Sequence, residues 1–284
     1  MEQILLDGKS LSNKLFDELR DRLKTDKRKY KLIVLTVGSD PASKVYVRNK
    51  EKACERVGIE YEHISIDEGM GANEFGEFLV NLEKTNPACT GIILQLPAPK
   101  HLTQVFNQLI DGKYDVDGFG DTNRIMLYTE SMPFHYPATP KGIMLLLNNY
   151  NISVEGKHVV ILGRSEIVGK PLSKLMLDEN ATVTVCHSKT QNLKEITRTA
   201  DILVCAMGKP KFINDTFVKD GVIIVDVGIN RLEDGSICGD VDFDMMRVKS
   251  SAITPVPGGV GPMTVYSLIE NVICSGLYYG IEDI

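Results

Sequence analysis

Short apolar runs alternate with amphipathic segments along this chain, stop, and then start again. In the first half, Lys31–Val37 (KLIVLTV) reads as a strand, 42–57 as a helix closing at Gly58, 61–66 as a second strand, 73–82 as a helix and 91–95 (GIILQ) as a third strand. Ahead of these, apolar residues at 11, 15, 16, 19 and 23 give 10–23 a helical spacing. The pattern restarts at His158–Leu162 (HVVIL), with a helix over 168–177 and strands over 181–186, 202–206 and 222–227. Repeated strand–helix–strand alternation with short loops predicts parallel sheets covered by helices. The irregular stretch 111–140 separates the halves. The expected fold is therefore α/β, with two α/β domains around a cleft. Residues 1–139 form the first domain and 140–262 the second, and the last helix, within 263–284, returns to the first.

A length of 284 residues suits one large domain or two ordinary ones. With 43% hydrophobic and 25% charged residues, such a chain can bury a core. The net charge of −6 argues against a general nucleic-acid binder, which would carry a basic excess. No stretch approaches the ~18 consecutive apolar residues of a membrane helix. The start, Met1-Glu2-Gln3-Ile4-Leu5-Leu6-Asp7, lacks the basic, then apolar, regions of a signal peptide. The six cysteines show neither a C-x-x-C pair nor a zinc-type spacing, so reduced buried thiols, no metal and a cytoplasmic location are expected.

The strand ending at Leu162 runs into Gly163-Arg164-Ser165-Glu166-Ile167-Val168-Gly169 and then a helix. A glycine leaving a strand permits a tight turn, and the helix N-terminus that follows offers N–H groups to a pyrophosphate. This reads as the first turn of a Rossmann-type domain, although Ser165 and Val168 stand where G-x-G-x-x-G has glycines, and an ordinary strand-to-helix turn would look similar. An NAD site places an acid at the end of the next strand, to hold the ribose 2′-OH. Here Cys186 is followed by His187-Ser188-Lys189-Thr190. Arg164 and Ser188 suit a 2′-phosphate instead, which favours NADP over NAD. A second cluster, Pro255 to Thr264, packs three prolines and three glycines into eight positions, a rigid backbone that a flat ligand can approach closely.

Tyr46 and Lys50 lie four residues apart on one helix, so they share a face. Gln95 ends its strand, where ligands of open α/β sheets bind. Asp117, in Asp115-Val116-Asp117-Gly118-Phe119, reads on local chemistry alone as a turn residue.

Taken in order, these pieces resemble the bifunctional methylenetetrahydrofolate dehydrogenase/cyclohydrolase family. The resemblance runs from Leu6-Asp7-Gly8-Lys9 through Gly38-Ser39-Asp40-Pro41-Ala42-Ser43, Tyr46-Val47-Arg48-Asn49-Lys50, Gly91 to Pro97, Asp115 to Phe119 and Gly163-Arg164-Ser165. It continues through Asp226-Val227-Gly228-Ile229-Asn230-Arg231 to Thr254–Thr264 and the final helix. It implies NADP-dependent oxidation of 5,10-methylenetetrahydrofolate to 5,10-methenyltetrahydrofolate, followed by hydrolysis to 10-formyltetrahydrofolate. It also implies a folate-binding first domain and a homodimer. By the same resemblance Lys50 is the cyclohydrolase lysine with Gln95 as partner, Tyr46 stacks on the folate, and Asp117 anchors the pterin. Leu94, Leu96, Pro257, Gly258, Gly259, Val260, Gly261, Pro262, Met263, Thr264 and Val265 then line the folate site. Gly163, Arg164, Ser165, Ser188 and Ile229 contact the cofactor. The chain departs from the family pattern at Gly120-Asp121-Thr122-Asn123-Arg124-Ile125, where Ile125 replaces a glycine, and at Ala138, where a cysteine is common. A dehydrogenase without the hydrolase step, and a non-catalytic dinucleotide sensor, are the competing readings; retention of Tyr46, Lys50, Gln95 and Asp117 speaks against both.

Overall fold

The structure is a computed structural model that describes residues 3–38, 41–86, 88–129 and 131–278, with the side chains of 41–43 excepted. Met1, Glu2, Ser39, Asp40 and the expected end of the last helix beyond 278 lie outside the described residues. The chain divides into two compact units, Met1–Asn13 with Thr139–Thr264, and Lys14–Ala138 with Val265–Ile284.

The second of these contains a three-stranded parallel sheet. Its strands are β2 (Lys31–Val37), β3 (Glu60–Ile66) and β4 (Gly91–Leu94), in the order β3-β2-β4. The central strand is buried from Leu32 to Val37, which is why its sequence is continuously apolar rather than alternating. Helix α1 (Gly8–Leu23) precedes β2, and α2 (Pro41–Val57), α3 (Ala72–Thr85) and α4 (Lys100–Leu109) follow β2, β3 and β4 in turn. Phe75 and Leu79 of α3 and Leu102 and Phe106 of α4 bury against Ile33, Leu35 and Ile92 of the sheet. Truncating fully buried Phe75 to alanine would cost about 3–5 kcal/mol. The stretch 111–140, irregular by sequence, contains α5 (Asp121–Leu127), and α6 (Ala138–Asn149) begins inside it. Pro140 sits in the first turn of α6, where a missing N–H costs nothing, so the residue that reads as a break is a helix start.

The other unit is built on six parallel strands: β5 (His158–Leu162), β6 (Thr182–Cys186), β7 (Ile202–Cys205), β8 (Ile223–Asp226), β11 (Ala252–Ile253) and β1 (Ile4–Leu5). Their spatial order is β1-β11-β8-β7-β5-β6. The chain leaves β5 to one side for β6 and returns to its other side for β7, so the strand order reverses there, as in Rossmann-type sheets. The N-terminal residues correct one expectation. The sequence places residues 1–13 with the first domain, whereas β1 pairs with β11 and the segment clusters with the six-stranded sheet. A two-residue strand carries too little periodicity to be read from sequence. Helices α7 (Gly169–Asp178), α8 (Leu193–Arg198) and α9 (Phe243–Met246), and the antiparallel pair β9 (Asn230–Arg231) and β10 (Ile237–Cys238), complete this unit. The last helix, α10 (Val260–Tyr278), begins three residues earlier than the sequence suggests. Among the described residues, no helix is long and apolar enough to cross a membrane.

Candidate active site

In the unit of β2–β4, three residues far apart in sequence meet. Lys50 Nζ donates to Gln95 Oε1 at 2.9 Å and lies 4.0 Å from Asp117 Oδ2. The Lys50 and Asp117 side chains are only 12% and 15% exposed. Helix α2 carries Lys50, the end of β4 places Gln95, and the turn after Val116 delivers Asp117. Gln95 Nε2 donates to Leu96 O at 2.8 Å, which leaves its Oε1 aimed at the lysine. Burial pushes the Lys50 ammonium below the ordinary lysine range, and the Asp117 charge only partly opposes this. Burial likewise pushes the Asp117 carboxyl up against the pull of Lys50. At 4.0 Å the mutual attraction is about 4 kcal/mol for an effective dielectric of 20, and desolvation of both charges outweighs it. Both shifts run toward the neutral forms, and the neutral amine is the state that accepts a proton. Tyr46, one turn before Lys50, is 40% exposed. Leu94 is buried and Leu96 half-buried beside Gln95.

Sequence reasoning missed the frame that holds Asp117. Asp115 is fully buried and accepts from Phe119 N at 3.2 Å, Gly120 N at 2.8 Å and Asn123 Nδ2 at 2.9 Å. Asn123 also donates to Gly112 O and accepts from His135 N. On the far side of the turn, Asn271 of α10 donates to Val116 O at 2.8 Å. The only signal in the sequence was a second Asp two residues before the first. The departures from the family pattern touch this frame through the backbone, since Gly120 N donates to Asp115 Oδ2 at 2.8 Å and Ala138 N donates to Asp117 O at 3.4 Å. Asp121 opens α5 and Ile125 projects from it, 64% exposed, while Asn123 is retained and buried. Cys54, one turn beyond Lys50, is one of the cysteines expected to be buried thiols. It is fully buried, and burial pushes its thiol up to about 12.

The other unit holds the residues assigned to a cofactor. Gly163 has φ +128°, and a Cβ there would lie 2.3 Å from Ala206 O, so only glycine lets the end of β5 approach the end of β7. Ser165 Oγ accepts from Val168 N at 3.1 Å and Gly169 N at 3.4 Å and so closes the turn that leads into α7. Arg164, Ser165 and Ser188 are exposed, and Ile229 is 50% exposed on the loop after β8. Among the described residues no acid pairs with Arg164 and none stands at the end of β6, where the chain continues into His187. A tight glycine turn at the switch point, a helix N-terminus and an open cation fit a dinucleotide bearing an extra phosphate. Of the residues assigned to the folate, Pro257–Thr264 cluster with this unit and Val265 with the other. The Pro257–Thr264 segment, a loop running into the first turn of α10, is held by Lys9 N donating to Gly258 O at 2.8 Å and by Thr264 Oγ1 donating to Thr139 Oγ1 at 3.1 Å.

A parallel sheet with a nucleotide-type switch point, in one chain with a buried lysine–carboxylate pair, defines a two-unit α/β enzyme of the dehydrogenase class. Residues 6–117 match the catalytic domain of the tetrahydrofolate dehydrogenase/cyclohydrolase family, and residues 137–278 match its NAD(P)-binding domain. The chain is 48% identical over 273 residues to the bifunctional protein FolD of Agathobacter rectalis, covering 95% of this chain and 97% of that one. It is similar to the crystal structure of the bifunctional FolD dehydrogenase/cyclohydrolase of Campylobacter jejuni, with TM-score 0.93 and 44% identity over 98% of this chain and 99% of that one. The Trypanosoma brucei FolD structure, a complex with NADP and an inhibitor, matches with TM-score 0.89 and 31% identity over 97% of each chain. The chain belongs to the tetrahydrofolate dehydrogenase/cyclohydrolase family, and it is an enzyme with both a catalytic and an NAD(P)-binding domain.

Proposed function

We propose that this chain oxidises 5,10-methylenetetrahydrofolate with NADP and hydrolyses the resulting 5,10-methenyltetrahydrofolate to 10-formyltetrahydrofolate. The observation that carries the reading is the buried contact of Lys50 with Gln95 and Asp117 in a chain of this family. Gly163, Arg164, Ser165, Ser188 and Ile229 hold the cofactor, which when bound supplies a hydride acceptor. The two nitrogens flanking the one-carbon unit stabilise the cation left behind, so the protein's task in oxidation is positioning rather than strong base catalysis. Tyr46 stacks on the folate, Asp117 accepts N–H groups of the pterin edge, and Leu94, Leu96 and Pro257 to Val265 supply apolar and backbone walls. Lys50 takes the proton in the hydrolytic step, oriented by Gln95, which adds no charge of its own.

The absent acid after β6 and the open Arg164 support NADP over NAD. The chain works as a cytoplasmic homodimer and has no nucleic-acid partner. The folate-binding domain corresponds to the unit of β2–β4 and the NADP-binding domain to the unit of β5–β8. The test is a spectrophotometric assay with methylenetetrahydrofolate and either nucleotide. NADPH formation with transient methenyltetrahydrofolate is expected, and absence of both products would reject the assignment.

A further inference from the structure

Beneath the loops that follow β7 and β8 lie two buried carboxylates without a cation. Asp226 ends β8 and is 3% exposed; Asp240 follows β10 and is fully buried. Among the described residues neither forms an ion pair with Lys, Arg or His. Backbone N–H groups and one amide satisfy them instead. Asp240 Oδ2 accepts from Met207 N at 2.6 Å and Gly208 N at 3.1 Å, and its Oδ1 accepts from Lys209 N at 2.8 Å and Asn230 Nδ2 at 2.9 Å. Asp226 Oδ1 accepts from Gly228 N at 2.9 Å and Asp240 N at 3.0 Å, and its Oδ2 from Val241 N at 2.9 Å.

This arrangement uses both oxygens of each carboxylate as acceptors. An asparagine offers only one, and its amide would face N–H groups. The backbone is shaped to admit the carboxylates. A Cβ on Gly228 would lie 2.4 Å from Asp240 Oδ1, and one on Gly239 would lie 1.8 Å from Asp226 Oδ2. The β9–β10 hairpin, with Cys238 opposite Asn230, returns the chain so that Asp240 reaches the loop after β7. Asp240 thus fixes the backbone of 207–209 and the side chain of Asn230, while Asp226 holds Gly228 N together with the Asp240–Val241 backbone.

Those loops lie on one side of the switch point. The turn at Gly163 takes the pyrophosphate and the loop after β6 takes the 2′-phosphate of the adenosine half, so a dinucleotide laid across the crevice puts its other half over β7 and β8. We propose that Asp226 and Asp240 are positioning residues for the nicotinamide half of NADP, acting through Met207–Lys209 and Gly228–Asn230. The proposal rests on the assignment of the cofactor to this unit. The adenosine half, anchored on the opposite side by Arg164 and Ser188, does not depend on them.

The experiment compares binding of whole and partial cofactor to the full-length protein. Affinities for NADPH, by fluorescence titration, and for adenosine 2′,5′-bisphosphate, by calorimetry, are measured for the wild type and for Asp240→Asn. Cyclohydrolase activity is assayed without nucleotide in the same preparations. Loss of hydrogen bonds to a charged acceptor predicts NADPH binding weakened about tenfold or more. Adenosine 2′,5′-bisphosphate affinity and cyclohydrolase rate stay within about twofold, because neither uses the loops. Unchanged NADPH affinity in the folded variant, or equal weakening of both nucleotides, overturns the proposal. If Asp240→Asn does not fold, Asn230→Ala removes only one of the four bonds to Asp240 and carries the same test. It should weaken NADPH about threefold or more and leave the bisphosphate alone, and no selective change overturns the proposal. A wild type that binds neither nucleotide refutes the cofactor assignment itself, and the positioning role with it. A wild type that binds both while Asp240→Asn loses neither refutes the positioning role alone.

Discussion

Lys50 is the residue whose surroundings most restrict what it can do. Its amine is buried, hydrogen-bonded to a neutral amide and 4.0 Å from a carboxyl that burial also pushes toward neutrality. A depressed lysine pKa means the neutral base is more abundant at any given pH. The cyclohydrolase rate, corrected for uncatalysed hydrolysis, should therefore rise with pH through a midpoint below the ~10.4 of a free lysine. It should level off above that midpoint. A midpoint at the ordinary lysine value would contradict the environment described. Arg164 gives a second prediction at this scale. Arg164→Ala should weaken NADP about tenfold or more and NAD hardly at all, in steady-state KM values; equal losses would mean the guanidinium does not read the 2′-phosphate. Helical spacing put Tyr46 and Lys50 on one face in the sequence itself. That Gln95 and Asp117 come within reach of the same amine depends on where β4 ends and how the following turn closes, which no local pattern encodes.

Among the elements, the turn after Val116 matters most, because it presents Asp117 without being helix or strand. Its shape depends on Asp115 accepting three N–H groups at once. Asp115→Ala should lower both folate-dependent activities at least tenfold through folate KM while leaving NADPH affinity intact, which separate titrations would show; a variant with normal folate KM would make the frame irrelevant to binding. Burial also pushes the Asp115 carboxyl up to about 6, so between about pH 4 and pH 6 the folded protein holds a proton there that the unfolded chain, near 3.8, has released. Such a group stabilises the fold fully below pH ~4, and that contribution is lost as pH rises through about 6. The stability difference between wild type and Asp115→Asn, from urea melts, should accordingly favour wild type more at pH 5 than at pH 8. A difference that grows with pH would show that Asp115 is not held protonated. The central strands β2, β5 and β7 were legible because burial demands largely unbroken apolar runs, and β2 and β5 match their sequence boundaries to the residue, whereas β3 and β6 are mixed in composition and partly exposed. Helices α4 and α6 went unread because prolines at 97, 99 and 140 look like interruptions, although Pro99 precedes one helix and Pro140 sits in the first turn of the other.

For the whole molecule, the alternation of strands and helices and the restart at β5 conveyed an α/β chain with a Rossmann-type sheet. What sequence could not convey was that β1, two residues long, completes that sheet from the opposite end of the chain. A homodimer predicts a solution mass near twice 31.5 kDa by light scattering at micromolar concentration, and a monomeric mass would remove that assignment. The central claim is that one protein performs two steps on one folate, with Lys50 needed for only one of them. Lys50→Met keeps the length and the apolar stem while removing the amine. The decisive measurement follows NADPH formation from methylenetetrahydrofolate and decay of methenyltetrahydrofolate in the same preparation of this variant. NADPH formation is predicted to persist within about tenfold of wild type, while enzyme-catalysed methenyl decay falls by about 10²–10⁴-fold. Undiminished methenyl decay would contradict the account, and so would loss of both activities in a folded protein.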